Sequence, residues 1–173
     1  MELLRVVDKN GNFTGEIFDR DYVHNNNLLH NEVSVFILNN NRQILLQKRS
    51  VLKRFNPGKW GLCAGHVSYD ETLEDAALRE IKEEIGLDVG VGDLNPIGDK
   101  LVLLYDKGAH ITYHYYIKVD KSSDDFIIQK EELSEVKWFN IDDVIDMIKN
   151  KDESITLKEN RLDLLASLKN IVL

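Results

Sequence analysis

Three glutamates in the stretch "LREIKEEIGL", at positions 80, 83 and 84, have the spacing to act together. With about 100° per residue on a helix, Glu84 lies about 40° to one side of Glu80 and Glu83 about 60° to the other, so the three carboxylates share a sector of about 100°. Leu73, Ala77, Leu78, Ile81 and Ile85 form the adjoining apolar stripe, which Glu80 and Glu84 border, while Asp75, Arg79 and Lys82 lie opposite. Like charges at this spacing cost a few tenths of a kcal/mol each unless something offsets them. A divalent cation would do so, and Mg²⁺ or Mn²⁺ prefers such oxygen ligands. Helix geometry alone leaves a second reading open, a solvated face on which Arg79 and Lys82 are the partners.

The segment that carries them is expected to be a helix over 72–85, with Thr72 and Asp75 spaced as a capping box and Gly86 placed to end it. Asp70, Glu74 and Asp75 are then capping or solvated charges. Two hairpins precede it. One turns at Asn10-Gly11-Asn12; the other pairs Val33 to Leu38 with Ile44 to Gln47 across an Asn-rich turn. Strands are expected at 97–105, 110–119 and 136–139, helices at 141–149 and 159–172, and a flexible loop at 120–125. Strands, a central helix, more strands and terminal helices imply an α/β fold, a mixed sheet flanked by helices.

Composition limits the function classes. At 173 residues and 43% hydrophobic the chain suits one domain, 1–173, with one sizeable core. No apolar run approaches the roughly 20 residues of a membrane span, and the first residues lack a secretory pattern, so a cytoplasmic protein with no membrane partner is expected. The single cysteine, Cys63, rules out an intramolecular disulfide. A formal net charge of -8 argues against binding nucleic acid. Against that background "KRSVLKRFNPGK" collects Lys48, Arg49, Lys53, Arg54 and Lys59 with no acid among them, a local reversal of sign suited to an anionic small molecule. Arg49 and Lys53 are the residues expected to bind it.

Gly65, Glu71, Arg79, Glu80, Ile81, Glu83, Glu84, Gly86 and Leu87 match every position of the box that marks the Nudix hydrolase superfamily, and the chain resembles that family through most of its length. The resemblance implies a Nudix-type α/β/α sandwich with a mixed central sheet, and a pyrophosphohydrolase that uses Mg²⁺ (or Mn²⁺) on a nucleoside diphosphate derivative or related diphosphate. It makes Glu80 and Glu84 the principal metal ligands, with Glu83 sharing ligation and the backbone carbonyl of Ala64 completing the site. Arg79 and Glu71 would brace loop and helix. A loop glutamate often serves as base in this family; Glu132, six residues before Trp138, is the counterpart, with Glu131 and Glu135 as rivals.

A narrower resemblance rests on "VHNNNLLHNEVSVFI", "LLQKRSVLKRFNPGKW" and "CAGH". These are similar to the isopentenyl diphosphate isomerase branch, in which histidines at the places of His24, His30 and His66 bind a divalent metal. His110 and His114 fall on the strand where that branch carries two metal-binding glutamates, which "AHITYHYY" lacks. The branch's catalytic cysteine directly precedes "GH"; here that place holds Ala64, and Cys63 stands one residue early, which in a strand reverses the side chain's direction. The expectation is a hydrolase on an isomerase-like frame, monomeric or homodimeric, with an isomerase or a non-catalytic nucleotide sensor as alternatives. Subgroup signatures are absent; Tyr105 lies near, but not at, the tyrosine of dinucleoside-polyphosphate hydrolases.

Overall fold

A computed structural model describes residues 2–104 and 109–171 of the chain; Tyr105 lies outside them. The elements run β1 (Leu3–Val7), β2 (Phe13–Asp19), α1 (Arg20–Asn25), β3 (Leu29–Leu38), β4 (Gln43–Arg49), β5 (Trp60–Gly61), β6 (Cys63–His66), α2 (Leu73–Ile85), β7 (Asn95–Pro96), β8 (Leu101–Leu104), β9 (Ala109–Lys118), β10 (Leu133–Asn140), α3 (Ile141–Lys149) and α4 (Leu162–Ile171).

The main sheet has the order β10-β4-β3-β9-β7, with β5, β6 and β8 joined to β4, β3 and β9. Only β3 and β9 pair in parallel among the described strands, so the sheet is mixed. Alternation along β3 sends Val33, Val35 and Ile37 to one face and Phe36 and Leu38 to the other. The first set packs with Ala76, Ala77, Ile81 and Ile85 of α2. The second packs with Ile141, Val144 and Ile148 of α3 and Leu164, Leu165 and Leu168 of α4. The result is the expected α/β/α sandwich.

The hairpin β1-β2 forms its own two-stranded sheet, tied to the main body by a bridge between Leu4 and Ser68 and by Tyr69 N–H donating to Leu3 O at 2.9 Å. Thr72 caps α2 with the reciprocal bonds of a capping box, and Gly86 ends it at φ 66°. Helix α1 was not expected from the pattern: it has six residues, too few for periodicity, and only its cap, Asp19 accepting from Tyr22 N–H, marks it. The strand expected over 97–105 is two pieces, Asn95–Pro96 and Leu101–Leu104, because Gly98 turns the chain at φ 65° between them. The loop at 120–125 closes instead as a short turn, Ser123–Asp125, whose Asp125 accepts from Ser122 N–H at 2.8 Å. The terminal helix starts at Leu162, after a turn at Glu159–Arg161.

Candidate functional site

Helix α2 lies with its apolar stripe on the sheet, so its bordering glutamates are carried towards β6. Glu80 is seated against Gly65, where a Cβ would collide with its carboxylate, one residue after Ala64. Glu84 is only 4% exposed, and one of its oxygens, Oε2, has no hydrogen-bond partner among the described residues. Burial raises the Glu84 carboxyl to about 8, and the neighbouring Glu80 charge adds to the rise; burial likewise raises Glu80 to about 7. A buried carboxylate oxygen without a donor fits a divalent cation far better than it fits a solvated helix face.

Arg79 ties this cluster to the preceding loop. Its Nη1 donates to Glu80 Oε1 at 2.6 Å and to Glu83 Oε2 at 3.2 Å. The other side of the guanidinium donates to Glu71 at 2.8 and 3.0 Å and to the His66 carbonyl at 2.9 Å. Glu71 in turn accepts from Ser68 N–H at 2.7 Å. Lys82, by contrast, pairs with Asp88, away from the three glutamates.

At the other flank, Arg49 and Glu132 lie close enough to Glu84 for their charges to act on its titration in opposite senses. Lys53 Nζ donates to Glu132 Oε1 at 2.5 Å, and Ser50 N–H donates to the Glu132 carbonyl at 2.7 Å. Arg49 and Glu132 thus lie within electrostatic reach of Glu84, and Lys53 is tied to Glu132. Of the rival acids, Glu135 falls within β10 and pairs with Lys48 at 3.9 Å, across the β10-β4 ladder.

Sequence reasoning missed the part played by Cys63. Its register partner is Val35, and its side chain points into the core under α2. There burial pushes the thiol well up, and the neighbouring Glu84 carboxylate adds to the rise. Ala64, opposite Ser34, faces the other way, so the cysteine and the alanine sit on opposite sides of β6, as the one-residue offset implied.

A second group of side chains forms on that opposite side. His24 from α1, His30 from β3 and His66 from β6 offer ligand atoms that all lie within 4.8 Å of one another. His110 of β9, the register partner of His30, closes the ring: its Nδ1 stands 3.2 Å from His30 Nε2. The four imidazole centroids are 4.9 to 6.2 Å apart. Burial lowers His24 to about 4 and His30 to about 3, so both rings are neutral at neutral pH and fit a metal. His24 Nε2 is buried with no hydrogen-bond partner among the described residues.

Glu32 joins His66 and His110 in a further triad of the same compactness. Sequence reasoning passed over it, although two residues after His30 in a strand means the same face. Glu2 was missed as well. It faces His66 Nδ1 at 3.4 Å, and that imidazole, together with Arg20, holds the Glu2 carboxyl at about 2 despite partial burial. His114 stays outside the group: it is buried one row along, where Ser34 Oγ meets its Nδ1 at 2.6 Å.

Residues 28–158 match the family described as NUDIX domain. The chain is 31% identical over 158 residues to "Isopentenyl-diphosphate Delta-isomerase 2" of Photorhabdus laumondii, covering 90% of this chain and 87% of that one. Among solved structures, a Deinococcus radiodurans protein superposes with a TM-score of 0.74 at 20% identity, over 96% of this chain and 98% of that one. The NUDIX domain of Shewanella oneidensis NrtR, crystallised with ADP ribose, superposes with a TM-score of 0.62 at 21% identity, over 90% and 94% of the two chains.

Proposed function

The chain belongs to the Nudix family, and on that footing we propose that it is a hydrolase, dependent on Mg²⁺ or Mn²⁺, that cleaves a diphosphate linkage in a nucleoside diphosphate derivative or related organic pyrophosphate. The observation that carries the reading is Glu84, buried beside Glu80 with one oxygen unpartnered, and within electrostatic reach of Arg49 from the acid-free cationic run. In this reading Glu80, Glu83 and Glu84, with the Ala64 carbonyl, hold the cation. When bound, the cation would neutralise phosphoryl oxygens and acidify a water.

The remaining steps belong to the chain's own groups. Arg49 and Lys53 bind the diphosphate. Lys53 is paired with Glu132 beforehand, so an incoming diphosphate competes for that ammonium and leaves the Glu132 carboxylate to take a proton from the attacking water. Arg79 keeps Glu80 and Glu83 in place through its contact with the His66 carbonyl. The enzyme is cytoplasmic in this reading; no described helix is long and apolar enough to cross a membrane.

A second reading, isomerisation of an isoprenoid diphosphate, is favoured by the name of the Photorhabdus relative. Against it stands the thiol: the one cysteine faces the core beneath Glu84, and the position preceding Gly65 has only a methyl group. One screen separates the two. The purified protein is given nucleotide sugars, dinucleotides, nucleoside triphosphates and isoprenoid diphosphates with Mg²⁺ or Mn²⁺. Hydrolysis that falls at least about a hundredfold in Glu84→Gln is expected. Full turnover by that variant would sink the assignment, and conversion of isopentenyl to dimethylallyl diphosphate would replace it.

A further inference from the structure

Carboxylates at two positions of the strand here called β9 are what the isomerase-like resemblance would supply to a histidine-bound metal, and this chain has neither: the strand reads Ala-His-Ile-Thr-Tyr-His. The parallel register sets His30 against His110, Glu32 against Thr112 and Ser34 against His114. A side chain moved one strand sideways in such a row is displaced by only about 5 Å. Glu32 therefore reaches from β3 the space a carboxylate at 112 would fill, and Thr112 Oγ1 donates to Glu32 Oε1 at 3.0 Å.

We propose that Glu32 and His110 complete, with His24, His30 and His66, a single transition-metal centre in which a glutamate from the neighbouring strand and a fourth imidazole stand in for the missing strand carboxylates. The two compact triads share His66, and His30 of one stands 3.2 Å from His110 of the other, so modest side-chain turns would gather both round one ion. Adjacent ligands on an ion with bonds of about 2.1 Å stand about 3 to 3.5 Å apart, and His30 Nε2 and His110 Nδ1 are 3.2 Å apart. The outer partners are in place too. His30 Nδ1 faces the Leu28 carbonyl at 3.0 Å, which presents Nε2 to the group; Glu2 faces His66 Nδ1; Thr112 steadies Glu32.

The substitution changes the site's chemistry. Three imidazoles and two carboxylates around a divalent ion sum to zero charge, whereas four imidazoles and one carboxylate leave +1. More nitrogen and less oxygen shifts preference from Mn²⁺ and Mg²⁺ towards Zn²⁺, Co²⁺ or Ni²⁺. The inference is independent of whether the chain hydrolyses or isomerises its substrate.

The test uses the whole protein, purified without a nickel column, stripped with chelator and titrated with Zn²⁺ by calorimetry and Co²⁺ by visible absorption. One ion per chain is expected. Glu32→Gln, nearly isosteric, and His110→Ala should each weaken Zn²⁺ binding at least about tenfold and alter the Co²⁺ spectrum. His110→Glu, which keeps a ligand, should retain binding and move the selectivity towards Mn²⁺. Glu84→Gln should leave Zn²⁺ stoichiometry unchanged. Unaltered affinity and Co²⁺ spectrum in both Glu32→Gln and His110→Ala would overturn the proposal, as would a wild-type chain that binds none of these ions.

Discussion

Glu80 and Glu84 reach about 7 and 8 because burial disfavours their charged forms, against 4.5 for an ordinary glutamate. The folded, metal-free chain thus keeps protons that the unfolded chain has released. Its stability from these groups is complete below pH 4.5 and lost as pH climbs through 7 and 8. His24 and His30 work in the other direction: burial depresses them to about 4 and 3, so their contribution is present above 6.5 and lost as pH falls. In chelator, thermal scans from pH 6.5 to just above 8 should show Tm falling. Saturating Mg²⁺, or the Glu84→Gln substitution, should flatten that slope; a Tm that rises across the window would contradict the burial argument. The three helix glutamates were legible in the sequence because helical spacing alone places them in one sector of α2. Glu32 and Glu2 were not, since each acquires its histidine neighbours only through strand pairing or hairpin docking.

Helix α2 is the element whose two jobs can be separated by substitution. Thr72→Ala removes the cap that accepts from Asp75 N–H at 3.1 Å, and should cost about 1 kcal/mol of stability while leaving Mg²⁺-dependent turnover nearly intact. Gly65→Ala should do the reverse in emphasis. Its methyl group meets the Glu80 carboxylate, so cation affinity and turnover should collapse by more than stability does, read by Mg²⁺ titration beside a denaturant melt. Equal losses in both variants would mean that Glu80 has no special seat. This helix could be read from the sequence to within a residue, because its cap, stripe and terminal glycine agree. Helix α1 could not, since six residues show no period, and the break at Gly98 was invisible within an otherwise apolar run.

Across the whole molecule, the layered sandwich follows from alternation in β3 and the amphipathic helices, which is why fold class was readable. The partnership of β3 with β9 was not, because a parallel pair has no local turn to announce it. Residues that meet across it, His30 with His110, Glu32 with Thr112 and Ser34 with His114, are each 80 positions apart in the chain. Helix α2 lies wholly inside that crossover. Closing so long a loop is slow, and the contacts beyond it form late on the way to the native state. An ion held by His24, His30, Glu32, His66 and His110 would gain its last ligand, His110 of β9, only from the finished crossover. Zn²⁺ should therefore act as a brake: in stopped-flow chevrons the unfolding arm drops while the folding arm is unmoved. A faster folding arm would show instead that the metal gathers the strands before the crossover closes.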